Sequence, residues 1–458
     1  MRWAGAPVGI VRVERNLGLW AYANVRSVAF VFFDPNRQAY CEITRDVRQF
    51  LNGEAALDTL GLTNSAMPGK RRSDRIPTWL KPYFLWIVQT RHMALNRLES
   101  LRLGTQRPWL AWVADHLQRL LISGKYRHYM VSEDDTRRAF FPHEMAVGAP
   151  VQFAPDDTLI CAGSGWNHTN INVIADLKSR IGFRFVLLCH DIIPLMYPQF
   201  YSDRDVALFR NYMHRALAIA DLIVVTSRRV EADCRAYCRQ HNIPARDMTV
   251  GPLGFDVATC RPELATRVPA GLRPGQFAML VGTIEPRKGH RLLYQVWRRL
   301  VSEGVPQASG FKLVFVGRAG WMVDDLLADI KNDPRLANEL LVIDDADDDL
   351  LATLYQNAAF CLYPSMYEGY GLPVIEAFSF GKAVLASNGG ALPELIQKFS
   401  PCLDPTDELA WYEKMKEWVE SPRARIPYEE EIRKRFQHPT WHQAAEKFFG
   451  SIRAADVS

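Results

Sequence analysis

The chain has 458 residues, 48% hydrophobic and 23% charged, enough for two or three domains, each with its own core. A formal net charge of +4 gives no case for a nucleic-acid partner, and no apolar run reaches the roughly 18 residues of a membrane-spanning helix. The start, MRWAGAPVGIVRVERN, lacks the apolar core of a secretory signal, so a cytoplasmic location is expected, with attachment at the inner membrane face left open.

In chain order, SVAFVFFD (27–34) and AYCEIT (39–44) read as strands. Residues 60–130 do not alternate cleanly. Between Lys70 and Arg127 there are twelve Lys or Arg against three Asp or Glu, interleaved with Trp79, Tyr83, Phe84, Trp86, Trp109 and Trp112. Such a mixture suits an anionic membrane surface, or equally a solvated helical insertion with its aromatics tucked into the first domain. Strands follow at DTLICAGS (157–164), FRFVLLCHD (183–191) and DLIVVTS (221–227), with helical segments between them. MTVGPLGFD (248–256) closes a first domain, and 257–275, with three prolines, reads as a linker.

The second half alternates more regularly. Strands are expected at 277–284, 311–317, 340–344, 359–365 and 382–387, with amphipathic helices between. Apolar strands separated by helices imply a parallel sheet covered on both faces. The tail 436–455 reads as a helix returning to the first domain. The expected architecture is α/β, with two Rossmann-like doubly wound domains facing a cleft. Residues 1–268, with the insertion and the return helix, form one; 269–435 form the other.

Eight cysteines are present: Cys41, Cys161, Cys189, Cys234, Cys238, Cys260, Cys361 and Cys402. Cys161, Cys189 and Cys361 fall in strand-like runs, and Cys234 and Cys238 have no further partner at zinc spacing, so reduced, buried thiols are expected.

Two strand-to-helix junctions carry chemistry. In YPSMYEGYGLPVIEAFSFG (363–381), Pro373 suits the start of a helix, and the amides of Gly369, Tyr370, Gly371 and Leu372 become unpaired donors for phosphate oxygens. Glu368 and Glu376 cannot hold the same anion, so they are expected to face hydroxyl groups. A nucleotide–diphosphate–sugar offers this order of diol, anion and polyol. In VGTIEPRKGHRLL (281–293), Arg287 and Lys288 precede another helix, where two cations can neutralise a diphosphate leaving group.

These stretches, with EGYGLPVIEAFSFGKAVLASNGGALPEL, resemble the family 4 retaining glycosyltransferases, which have the GT-B fold. Glu368 and Glu376 match the ends of that family's Glu-x7-Glu motif. The resemblance implies that Glu368 contacts the donor sugar, Glu376 the ribose, and 369–372 the sugar and diphosphate, with the base near Val342 and Ile343. Many members carry an arginine where this chain has Thr283; Lys288 keeps its match and Arg287 stands in for the guanidinium. Gly9 and Ile10, in APVGIVRVE, match the glycine loop that closes on the diphosphate and acceptor. The strand that usually precedes this loop is either absent here or encoded upstream of the start.

In the first domain, His190 and Asp191 end a strand at the cleft. HDIIP resembles the version in lipopolysaccharide and capsule mannosyl- or rhamnosyltransferases. A neutral His190 can bind a hexose hydroxyl, and Asp191 can orient it or receive the acceptor's proton. Trp166, in CAGSGWNH, is either a sugar platform or a core residue. DDADDD (344–349) and SDRD (202–205) read as solvated helix starts, so no metal or other cofactor is expected. The expected partners are a nucleotide-sugar donor and a glycan or lipid-linked acceptor, with GDP-mannose favoured over dTDP- and UDP-sugars. A GT-B phosphorylase, a nucleotide-sugar epimerase, and an inactive sugar-nucleotide-binding subunit remain the alternatives.

Overall fold

The computed structural model describes residues 9–34, 37–43, 109, 113, 147–244, 246–256, 268–396 and 399–454. Two compact units divide the chain: Met1–Gly5, Asp34–Gln38 and Ile43–Gly148 form one, and Ala6–Phe33, Ala39–Glu42 and Ala149–Ser458 the other. Apart from Trp109 and Val113, the basic aromatic stretch 60–130 lies outside the described residues, as does 257–267 of the expected linker. Apart from Asp34, Ile43 and Val147–Gly148, at the ends of three short strands, everything that follows concerns the larger unit.

Strands β1 (Val31–Asp34), β2 (Ala39–Ile43) and β3 (Val147–Pro150) form a small sheet in that order. A second sheet, β4-β5-β6-β7, comprises Thr158–Cys161, Arg184–Cys189, Leu222–Val225 and Asp247–Val250. Its ladders are parallel, for example Val186 opposite Leu222 and Cys189 opposite Val225. β6 is buried throughout, as expected for a strand covered on both faces. One face carries α2 (Ile171–Ile181), α3 (Asp203–Ile219) and α4 (Arg228–Gln240), which share a core with Phe185, Leu187 and Ile223. On the other face lie α1 (Ile10–Asn24) and the last helix, α10 (Trp441–Ala454). Val13 and Leu17 of α1 meet Trp441, Ala445 and Phe448 of α10 over Val186, Leu188 and Val224. Val13, Leu17 and Ala21 recur every four residues, giving α1 one apolar stripe.

The third sheet has six strands in the order β10-β9-β8-β11-β12-β13: Leu340–Ile343, Lys312–Val316, Phe277–Val281, Phe360–Tyr363, Val384–Ser387 and Cys402–Leu403. All of its ladders are parallel. Between them run α5 (His290–Ser302), α6 (Asp324–Asn332), α7 (Asp348–Asn357) and α8 (Leu372–Ser379), and α9 (Glu408–Glu420) follows β13. Buried Trp297, Trp411 and Trp418 fill one face; Leu354, Tyr355, Phe378 and Ile432 fill the other.

This order decides where a ligand can sit. From β8 the chain builds outward through β9 and β10, then returns to pair β11 beside β8 and builds the other way. The strand order therefore reverses between β8 and β11, and in open parallel sheets the crevice beyond such a reversal binds ligands. The loops after these two strands are the two junctions singled out above. The observed strands are up to four residues shorter at either end than the expected ones. The short strands β3 and β13, the helix α9 and the helix Ile426–Arg435 were not anticipated.

Candidate functional site

The loop after β8 runs from Gly282 into a 3-10 turn, Pro286–Lys288, and enters α5 through Gly289. Gly289 has φ +77°, and a Cβ there would lie 2.4 Å from the Pro364 carbonyl oxygen, so glycine is required twice over. The loop after β11 is fastened to it, because the Met366 amide donates to the Arg287 carbonyl at 2.8 Å. The two junctions thus form one structure over the reversal point.

Their side chains converge. Lys288 Nζ lies 2.5 Å from Glu368 Oε1, and an Arg287 terminal nitrogen lies 2.9 Å from Glu368 Oε2. Arg287 also reaches Glu285 Oε1 at 2.6 Å and the Tyr367 carbonyl at 2.6 Å. Glu368 is buried, which alone would raise its pKa; the charges of Arg287 and Lys288 outweigh this and hold it at about 2.

Helix α8 starts at Leu372, with Gly371 as its N-cap and Pro373 as its second residue, one later than expected. A proline there still occupies a position whose N–H has no intrahelical partner. The amides of Gly369, Tyr370, Gly371 and Leu372 donate to no acceptor among the described residues. They open at a helix N-terminus beside Lys288, an arrangement suited to a phosphate oxygen.

One turn along α8, Glu376 is buried and fully engaged. Its Oε1 accepts from an Arg12 terminal nitrogen at 2.6 Å, and its Oε2 accepts from the Tyr355 hydroxyl at 2.9 Å. Arg12 lies in the first turn of α1, three residues beyond Gly9, and its guanidinium stands 5.3 Å from the Phe255 ring centroid. Gly9 caps α1 with φ +55°, and Ile10 is the first helical residue.

His190 and Asp191 follow β5 and meet the Glu368 loop directly. A Cβ on Gly369 would lie 2.6 Å from the His190 carbonyl oxygen and 2.7 Å from Asp191 Cβ. The Ser227 hydroxyl donates to the Gly369 carbonyl at 3.0 Å, and Thr226 Oγ1 lies between the His190 and Gly369 carbonyls. His190 Nε2 is 2.8 Å from the Ala162 carbonyl, which only accepts, so Nε2 carries the proton. Burial pushes its pKa down to about 4, leaving Nδ1 as the acceptor at neutral pH. Asp191 Oδ1 accepts the Ile193 amide at 3.0 Å, and burial raises its pKa.

Three other expected site residues contribute no side chain to the Glu368 cluster. The Tyr370 hydroxyl lies 3.2 Å from the Leu253 carbonyl and 2.9 Å from His438 Nε2. Its ring and the Leu372 side chain pack on the core under α1 and α10, so 369–372 face the site with backbone alone. Trp166 packs edge-on against Phe209 at 4.9 Å and joins the second sheet's core, corresponding to the core alternative rather than the platform. Val342 is exposed on the edge strand β10, two strands from the reversal, where a base could lie on it.

Arg12, Glu285 and Tyr355 were not foreseen. Arg12 had a signal in its proximity to the Gly9 loop; Tyr355 sits on α7 with nothing local to mark it. Glu14, also on α1, packs its carboxylate against Gly163, and burial raises its pKa to about 7. Asp347 caps α7 by accepting the Leu350 amide at 2.8 Å, and Ser202 caps α3. Among the described residues no group of three or more His, Cys, Asp or Glu is arranged to hold a metal ion, and no helix is long and apolar enough to cross a membrane.

Comparison with known proteins bears on the family and the fold. Residues 272–436 match the family model described as Glycosyl transferases group 1. The chain is 27% identical over 331 residues to the serotype-specific mannosyltransferase WbdA of Escherichia coli, covering 67% of this chain and 38% of that protein. It is 30% identical over 233 residues to the O-antigen chain mannosyltransferase B of Escherichia coli, covering 49% of this chain and 58% of that one. The chain therefore matches less than two thirds of the length of either relative. Among solved structures, a trehalose-6-phosphate synthase studied with bisubstrate glycomimetics superposes with TM-score 0.51 at 13% identity, over 76% of this chain and 80% of that one. The α,α-trehalose 6-phosphate synthase of Burkholderia multivorans gives 0.50 at 12% identity, over 67% and 72%. The chain has the GT-B fold, and its residues 272–436 match the model of the glycosyl transferases group 1 family.

Proposed function

We propose that this protein is a retaining hexosyltransferase that moves a sugar from a nucleotide-diphospho-sugar, GDP-mannose first among candidates, to a glycan of a growing surface polysaccharide. The observation that carries the reading is the open N-terminus of α8, with four unpaired amides beside Lys288 and a carboxylate on either side of it. The two mannosyltransferase relatives favour mannose as the sugar and O-antigen-like glycan as the acceptor. Both matches cover only part of each relative.

In this mechanism the diphosphate rests on the amides of 369–372 and on Lys288, which stabilise it as the C1–O bond breaks. Glu368 leaves its contact with Lys288 to accept hydrogen bonds from donor-sugar hydroxyls. The acceptor hydroxyl approaches on the face the diphosphate leaves, and its oxygen forms the new bond to C1. Neutral His190 offers Nδ1 to a hexose hydroxyl, and Asp191, made more basic by burial, receives the acceptor's proton. Cations and amides do the work that a divalent metal does elsewhere, so transfer is expected to persist in EDTA. The glycan is lipid-linked in this reading, and flotation with anionic vesicles at low salt tests the accompanying membrane contact.

The direct test is slow hydrolysis of radiolabelled GDP-mannose without acceptor. The wild-type protein is expected to release mannose, and Glu368→Ala to lower the rate by about two orders of magnitude, the scale of losing one preorganised contact to the reacting group. Tight GDP binding with no hydrolysis and no transfer would show a binding subunit instead.

A further inference from the structure

The charges at the reversal point do not add up to an anion site as they stand. Arg287 and Lys288 supply two positive charges, and Glu285 and Glu368, in direct contact with them, supply two negative ones. Asp191 lies close enough to add a third negative charge. A nucleoside diphosphate arriving here meets free amides and a helix dipole, but no surplus cation among these four side chains. A further cation meets α8 itself: Arg12, held by Glu376.

We propose that Arg12 is a diphosphate-binding residue, released by the ribose. Resting on the donor-site reading above, the inference assigns Glu376 two successive partners. In the free protein Glu376 Oε1 accepts from Arg12. When ribose hydroxyls donate to that oxygen, the guanidinium loses its counter-charge while Tyr355 keeps Oε2 in place. Glu376 is the fifth residue of α8, so its Cα lies about 6 Å along the axis from that of Leu372. Its side chain leans toward the helix N-terminus, as all helical side chains do. Arg12 is therefore already within one turn of the unpaired amides. It needs only a rotamer change to bring its planar fork to the phosphate oxygens. The α1 backbone need not move, since Val13 and Leu17 stay packed under α10.

The coupling has a distinct thermodynamic signature. A nucleoside alone must break the Arg12–Glu376 pair and leaves the guanidinium unsatisfied. A nucleoside diphosphate breaks the same pair and gives the guanidinium a new anion. Arg12 thus weakens binding of the nucleoside and strengthens binding of the diphosphate.

Isothermal titration of the full chain with guanosine and GDP, and in parallel with uridine and UDP, tests this. In Arg12→Ala, GDP or UDP affinity is expected to fall while the matching nucleoside binds as well or better. The diphosphate-to-nucleoside ratio should then drop about tenfold or more, the scale of one charge-assisted hydrogen bond. Arg12→Lys, which keeps the charge and loses the fork, should give an intermediate ratio and covers the case that the alanine variant does not fold. An unchanged ratio, with both ligands tightened equally, would make Arg12 a simple latch and overturn the proposal while leaving the donor site standing. If neither diphosphate binds the wild-type protein, the donor-site reading fails and this inference fails with it.

Discussion

At the scale of single residues, the Glu368 cluster couples stability to function. The carboxylate is buried, and it remains charged only because Arg287 and Lys288 touch it. Its pKa is depressed from 4.5 to about 2, so the folded state binds that proton less readily than the unfolded chain does. The stabilisation is therefore complete above about pH 4.5 and is lost as the pH falls towards 2. A shift of that size corresponds to about 3 kcal/mol at neutral pH. In acid titrations followed by circular dichroism, Glu368→Gln is expected to be less stable than wild type at pH 7 and to show a flatter stability curve between about pH 4.5 and 2. An identical slope in the two proteins would show that the ion pairs carry no such linkage. His190 adds a second acid-sensitive group: it is buried neutral, and the unfolded chain gains a proton near pH 6.5 that the folded state refuses until about pH 4.

The same residues show what a sequence discloses. Glu368, Glu376, Arg287 and Lys288 were legible because each junction is local: strand, short loop and helix lie within about a dozen residues, and the chemistry is written there in order. Arg12 and Tyr355 were not, because they reach Glu376 from 364 and 21 residues away. The position of the Tyr370 side chain was illegible for a related reason. Its neighbours in sequence face the site, but its hydroxyl has partners near Leu253 and His438 that only the folded chain supplies.

At the scale of elements, two glycines allow the loops to meet, and they predict different outcomes from a third. Gly369 lies so close to the His190–Asp191 turn that a methyl group would overlap a carbonyl oxygen and a Cβ. Gly369→Ala is expected to push the two loops apart, costing about 1–3 kcal/mol and most of the hydrolytic activity. Gly450 sits within α10, with nothing within 4 Å of its missing Cβ. Gly450→Ala should raise stability by about 0.5–1 kcal/mol through helix propensity and leave activity unchanged. Chemical denaturation of both variants checks the pair. The apolar pattern marked most of the helices and strands, since buried strands carry unbroken hydrophobic runs. It did not disclose strand order, and strand order is what brings the β8 and β11 loops together. Nor did it mark β13, whose two residues form too short a run to register.

At the scale of the whole larger unit, the contacts between the second and third sheets are mostly polar and specific. Glu394 accepts the amides of Arg228 and Arg229, at 3.1 and 2.7 Å, and so caps α4 from the other side of the seam. Arg229 Nε donates to the Tyr367 hydroxyl at 2.7 Å, and that hydroxyl bonds Asp233. Trp321 Nε1 donates to the Phe200 carbonyl at 2.6 Å, and Arg12 joins Glu376. The chain end adds an extensive apolar tie: α10 follows the third sheet in sequence yet buries Trp441, Phe448 and Ile452 against strands of the second. Polar seams give way to water more readily than such a core, so α10 is expected to hold the two sheets in one cooperative transition. Differential scanning calorimetry of the wild-type protein should then show a single peak. Glu394→Ala, which removes only a cap, is expected to cost about 1 kcal/mol and keep that peak single. Phe448→Ala and Ile452→Ala together strike the apolar tie itself. Each large-to-small change costs roughly 2–5 kcal/mol, and both weaken the second sheet without touching the third. The double variant is therefore expected to split the transition, with the first peak moving down and the second staying near its original temperature. A single peak displaced as a whole would mean that the polar seam alone is enough to couple the sheets.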